Sequence, residues 1–170
     1  MDAIDAHNLI GNAEYEVDHL GIAVPDLNAA ARFYRDVLGC PVSPPKSLDG
    51  QGIAVIFVPF ANTRIELIAP TVDPSPIPHV LGQHTINYFL KRQPTGGLHH
   101  VCYVVDDLKT VRDRLVSNGM RTLGGTIIGA SGLPILFLDP SNAFGTLIEL
   151  KQRGPATHQD RGDPAASAST

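Results

Sequence analysis

The sequence predicts an α+β fold in which two βαβββ modules pair into a curved mixed sheet enclosing a metal cleft. An internal repeat carries most of that prediction. His19-Leu-Gly-Ile-Ala-Val-Pro-Asp-Leu27 aligns with His100-Val-Cys-Tyr-Val-Val-Asp-Asp-Leu108 at an offset of 81. Further on, Thr63-Arg-Ile-Glu-Leu67 aligns with Thr146-Leu-Ile-Glu-Leu150 at an offset of 83. The order of elements is the second observation: each half runs from a histidine through a strand to Asp-Leu, a helix and an Ile-Glu-Leu strand. Neither module can bury both faces of so small a sheet, so the two halves are expected to pair about a pseudo-twofold axis, cleft inside and helices outside.

The elements follow in order. Val17–Val24 is a β-rich run stopped by Pro25-Asp26, and Asp26 is a natural N-cap for a helix over Leu27–Leu38. Leu27, Ala30, Ala31, Tyr34, Val37 and Leu38 form its apolar stripe, and Gly39 suits the left-handed position after its end. Cys40–Val42 reads as a weak second strand, followed by strands over Ile53–Pro59 and Arg64–Ile68. In the second half Asp107 caps a helix over Leu108–Ser117, with Leu108, Val111, Leu115 and Val116 as its stripe and Gly119 at its end. Strands over Arg121–Thr126, Ile135–Leu138 and Thr146–Leu150 complete that module. The predicted organisation is an N-terminal arm over 1–14, modules over 15–70 and 98–152, a linker over 71–97 that forms one or two short helices, and a disordered tail over 153–170.

Bulk properties exclude several classes of function. The chain has 170 residues, 43% of them hydrophobic, enough for a core. A formal charge of −4 argues against nucleic-acid or anionic-membrane partners, which need a basic face. No stretch approaches a membrane span, and Met1–Glu14 lacks the pattern of a signal peptide. The two cysteines, Cys40 and Cys102, form no CxxC pair, so a cytoplasmic, reducing setting is expected.

The chemistry sits in the duplicated positions. His19 and His100 open the first strand of their modules, and Glu66 and Glu149 lie on the last. A strand turns alternate residues to one face, so Gly21 and Ala23 share the face of His19 and leave it free of bulk. Glu66 stands among apolar neighbours, where a carboxylate is costly unless paired or bound to a metal. One such His or Glu is ordinarily a packed or solvated residue. The same pair at equivalent places in both halves is better explained by a shared metal, with His19, Glu66, His100 and Glu149 as ligands. Two imidazoles and two carboxylates leave two positions of an octahedron open, a set that suits Co²⁺, Ni²⁺, Mn²⁺ or Zn²⁺. Strand alternation turns His99 to the opposite face from His100.

The pattern resembles the vicinal oxygen chelate (glyoxalase/bleomycin resistance/dioxygenase) superfamily, and within it the methylmalonyl-CoA epimerases, from about Val17 to Gln152. Asp18-His-Leu-Gly-Ile-Ala-Val24, Phe33-Tyr-Arg-Asp-Val-Leu-Gly39, Asn62-Thr-Arg-Ile-Glu-Leu67, Ser75-Pro-Ile77, Gly97-Leu-His-His100 and Leu147-Ile-Glu-Leu150 carry it. The resemblance implies the same four metal ligands. It implies epimerisation of methylmalonyl-CoA or a related 2-substituted acyl-CoA, by α-proton abstraction through a metal-stabilised enolate, with Glu149 and Glu66 as catalytic groups. It implies an acyl-CoA thioester as partner and a homodimer as assembly. The chain departs from the family in three places: Asp139-Pro140-Ser141 stands for the usual His-Pro-Lys, the linker is longer, and Val55 is apolar where some epimerases carry a carboxylate. The first departure favours a glyoxalase I-like lactoylglutathione lyase as the alternative enzyme. A resistance protein of the same fold that binds a small molecule without chemistry is the alternative from another class. Arg64 shares a face with Glu66; a plain surface arginine is the ordinary reading, and a contact for an anionic substrate group is the alternative.

Overall fold

The histidine-bearing runs become the two central strands of an eight-stranded sheet. The computed structural model describes residues 16–71 and 82–155. The predicted arm, the Ser75-Pro-Ile77 segment and the tail beyond residue 155 lie outside them.

The first half comprises β1 (Glu16–Ala23), α1 (Leu27–Arg32), β2 (Lys46–Leu48), β3 (Ile53–Pro59) and β4 (Arg64–Pro70). Next comes α2 (Gln83–Arg92), within the predicted linker. The second half comprises β5 (Gly97–Val105), α3 (Leu108–Ser117), β6 (Thr122–Ile128), β7 (Pro134–Leu138) and β8 (Ile148–Gln152). The strand order β2-β3-β4-β1-β5-β8-β7-β6 reads the same from either end once the halves are exchanged. β1 pairs antiparallel with β5 at the centre, and each is flanked by a parallel partner, β4 or β8.

Strand alternation sorts the core into layers. On the outer face Ile56, Val58, Leu67 and Ala69 meet Ala31 of α1, while Leu136, Leu138 and Leu150 meet Leu108, Val111 and Leu115 of α3. On the inner face Ile53, Val55, Ile68, Ile135 and Phe137 form a third cluster. The linker helix α2 lays Ile86, fully buried, against that inner cluster. One helix therefore lies inside the curve of the sheet, where the sequence placed all helices outside.

Several expectations are corrected. The first helix is α-helical only to Arg32 and ends in a π turn over Phe33–Val37, closed by Leu38 N–H donating to Phe33 O at 3.1 Å. Its stripe packs as far as Tyr34, but Val37 and Leu38 are exposed, as is Val116 at the end of α3. Both Asp caps form: Asp26 accepts from Ala29 N–H, and Asp107 from Thr110 N–H. Gly39 and Gly119 take φ of 69° and 77°, the left-handed conformation expected after a helix end. No strand forms at Cys40–Val42; the edge strand is β2, further on. Pro41, Pro44 and Pro45 remove three N–H donors from the segment between α1 and β2. The histidines stand at the fourth position of β1 and β5 rather than opening them. Among the described residues no helix is long and apolar enough to cross a membrane.

Candidate active site

His19 and Glu66 come from adjacent strands of one half, His100 and Glu149 from adjacent strands of the other, and all four side chains are buried on the inner face. The imidazole Nε2 atoms of His19 and His100 stand 3.1 Å apart. Glu66 Oε2 lies 3.5 Å from His19 Nε2 and 3.7 Å from His100 Nε2. Glu149 Oε2 lies 3.3 Å from His100 Nε2. The sheet thus brings together all four residues singled out from the repeat.

The donor set fits a divalent cation. Ligands about 2.1 Å from an ion and at right angles to each other lie roughly 3 Å apart, close to these separations. His19, Glu66 and His100 can each turn one ligand atom to within 4.8 Å of the others. Glu149 approaches only one of the two imidazoles and is the most loosely gathered of the four.

Each histidine is oriented by the residue before it, through a feature absent from the strand pattern. The pairing of β1 with β5 slips between Val17 and His19, and again between Gly21 and Ile22, where His99 is skipped. Two bulges therefore stand at equivalent places, one ahead of each histidine. They turn Asp18 and His99 toward the imidazoles that follow them, so His99 does not point to the opposite face. His19 Nδ1 donates to Asp18 Oδ2 at 2.7 Å. A carboxylate can only accept, so in the neutral ring the proton stays on Nδ1 and Nε2 is the atom whose lone pair faces the cluster. His99 Nδ1 faces His100 Nδ1 at 3.2 Å, and the His99 ring lies edge-on to Phe89 of α2. Burial first, then the neighbouring His100, hold His99 neutral by lowering its pKa to about 3.

Asp18 is the hub of the charged half. It also accepts from Arg64 Nη2 at 2.7 Å and from the buried ammonium of Lys151. Burial alone would raise its pKa, but the hydrogen bonds from His19 and Lys151 and the charge of Arg64 keep the carboxyl well below the usual range. Glu149 is likewise held below its ordinary value, because hydrogen bonding and charge from His100, and the charge of His19, outweigh its burial. Cys102 Sγ donates to Glu149 Oε1 at 3.4 Å, and burial raises its thiol pKa, so it stays protonated.

For His19, burial disfavours the cation, but Asp18 and Glu66, with help from Glu149, outweigh it and raise the pKa from 6.5 to about 9. Without a metal, the stabilisation from this proton is complete below about pH 6.5 and is lost as pH rises through about 9. A cation bound by these donors would take the place of that proton. Loading the apoprotein with Co²⁺ at pH 7 is expected to release about one proton from His19. Calorimetry in buffers of different ionisation enthalpy measures the number, and a release near zero would contradict this linkage.

A narrow cleft opens over these groups. Leu48, Ile53, Val55, Phe57 and Ile135 form its apolar wall, so the apolar residue at position 55 faces the cleft. Asp139, the departure that favours a lyase, caps a short 3₁₀ turn, accepts from Ser141 N–H and pairs with Arg121. It is not among the residues that line the cleft.

Comparison with known proteins places the chain. The family profile of the Glyoxalase/Bleomycin resistance protein/Dioxygenase superfamily matches residues 18–137. The ethylmalonyl-CoA/methylmalonyl-CoA epimerase of Cereibacter sphaeroides is 45% identical over 138 residues, covering 80% of this chain and 96% of that protein. The mitochondrial methylmalonyl-CoA epimerase of Mus musculus is 40% identical over 137 residues, covering 80% of this chain and 72% of that one. The crystal structure of methylmalonyl-CoA epimerase from Mycobacterium tuberculosis superposes with a TM-score of 0.71 at 32% identity, covering 88% of this chain and 93% of that one. With the paired modules and the buried His/Glu cluster, these matches show that the chain belongs to the glyoxalase/bleomycin resistance protein/dioxygenase superfamily and groups there with the methylmalonyl-CoA epimerases.

Proposed function

We propose that this protein is an isomerase that inverts C2 of methylmalonyl-CoA or a closely related 2-substituted malonyl thioester, using a divalent metal held by His19, Glu66, His100 and Glu149. The observation that carries this reading is the convergence of two imidazoles and two carboxylates on the inner face, in a chain 45% identical to an ethylmalonyl-CoA/methylmalonyl-CoA epimerase. A divalent metal held by these residues would supply positive charge to the oxygens of a 1,3-dicarbonyl unit and so lower the pKa of the carbon between them. Co²⁺, Ni²⁺, Mn²⁺ and Zn²⁺ all suit the ligand set.

The protein groups then have distinct tasks. Glu149 is ionised and lightly held, so it takes the α-proton from one face. Glu66 lies against both imidazoles and, after taking up a proton from solvent, delivers it to the other face, while the proton held by Glu149 is released to solvent. Asp18 keeps the His19 proton on Nδ1. His99 accepts from His100 Nδ1 and so leaves His100 Nε2 as a lone pair. The apolar wall with Val55 excludes water and houses the 2-alkyl group.

Incubating the Co²⁺-loaded protein with methylmalonyl-CoA in deuterated water is expected to place solvent deuterium at C2. Failure to exchange would rule out the epimerase. It would turn attention to a ligand-binding role, for which protein purified without a metal-affinity tag should contain no stoichiometric metal.

A further inference from the structure

Behind the four central donors, the charged groups do not cancel. The two glutamates balance a divalent cation when both imidazoles are neutral. Asp18 then carries one negative charge against the two positive charges of Arg64 and Lys151. Lys151 is buried, whereas Arg64 lines the cleft and is the one lysine or arginine to do so among the described residues.

Arg64 is held in place before any ligand arrives. Its Nη2 donates to Asp18, its guanidinium lies 4.6 Å over the Phe57 ring, and its side chain remains 30% exposed. Its Nε is the one buried side-chain donor without a hydrogen-bond partner among the described residues. Planar stacking and a fixed carboxylate anchor remove most of the freedom that an arginine ordinarily loses on binding an anion. Among the described residues the neutral half of the site, with His99 against Phe89, offers no comparable cation.

We infer that Arg64 is the specificity-determining residue that recognises the free carboxylate of the acyl group, so that the cleft takes malonyl-type thioesters in preference to plain acyl thioesters. This rests on the thioester reading proposed above and names the feature of the substrate that is selected. The surplus of one positive charge matches one carboxylate, and Arg64 lines the cleft on the same strand as Glu66, with its Nε free of any partner among the described residues.

Binding without turnover tests it. Malonyl-CoA and acetyl-CoA differ by one carboxylate and have no stereocentre at C2. Calorimetric titration of the Co²⁺-loaded protein is expected to show tighter binding of malonyl-CoA. In Arg64→Gln the ratio of the two affinities is expected to fall by roughly 10- to 100-fold, the worth of one charge-assisted contact. Acetyl-CoA affinity and Co²⁺ affinity should stay within a few-fold of wild type. Arg64→Lys, which keeps the charge but not the planar pair of donors, is expected to retain part of the preference. Should Arg64→Gln fail to fold, Arg64→Met, whose stem still packs on Phe57, carries the same expectation. An affinity ratio unchanged in the variants, or a loss confined to Co²⁺ affinity, would overturn the inference and reduce Arg64 to a support for Asp18. A wild-type protein that binds neither thioester would overturn the thioester reading and this inference together. Preserved wild-type selectivity with an unchanged ratio in the variants would overturn the inference alone.

Discussion

Glu149→Gln is expected to bind Co²⁺ nearly as well as wild type while losing roughly 10²- to 10⁴-fold in C2 deuterium exchange, the usual range for removal of a general base. The amide keeps an oxygen for the metal but cannot take a proton at neutral pH. Position makes Glu149 the stronger candidate for this role. Glu66 Oε2 lies within 4 Å of both imidazoles, whereas Glu149 approaches only His100 and shares its other oxygen with the Cys102 thiol. A carboxylate held from one side is the easier one to release toward substrate. The measurement is single-turnover exchange followed by proton NMR, alongside Co²⁺ titration of the same sample. Full exchange in Glu149→Gln with loss in Glu66→Gln would reverse the two roles.

Gly21→Ala is expected to cost roughly 100-fold or more in metal affinity, beyond the 10- to 100-fold typical when only a ligand's supporting partner is lost. Gly21 pairs with His100 across the central strands, and the His100 ring lies directly over it. A Cβ at this position would stand 2.0 Å from His100 Cε1 and 2.2 Å from Nδ1. The ring is buried under Phe137 and beside His99, so it has no easy retreat, and the shift moves Nε2 out of the cluster. Gly125→Ala is the control, because its Cβ would meet nothing within 4 Å. Cobalt titration by visible absorbance separates the two variants, and circular dichroism checks that both retain the sheet. Wild-type affinity in Gly21→Ala would show that the ring moves aside without cost and that its placement is not decisive.

What the sequence revealed depended on whether a feature obeys a period. The strands, the capped helices and the pairing of the halves follow from alternation, from Asp26 and Asp107, and from the repeat, and all three are visible in the primary structure. The empty His19 face was also visible in Gly21 and Ala23, although the reason, an imidazole laid across the glycine, was not. The bulges at Asp18 and His99 escaped because alternation assumes an unbroken ladder. A signal did exist: Asp18 and His99 occupy the same place in the repeat, each directly ahead of its histidine. The burial of Lys151 escaped because an alternating strand end cannot report a partner 133 residues away. The strand placed at Cys40–Val42 failed because the surrounding prolines withhold the ladder's donors, and β-propensity does not register that loss.

Both cysteines are free, so no covalent bridge joins the two halves among the described residues. A cation gripped by His19 and Glu66 on one side and His100 and Glu149 on the other would act as a rivet through the seam, closing a loop of roughly 130 residues. Prising the halves apart then means surrendering the ion, and a chelator should act on this protein as a mild denaturant does.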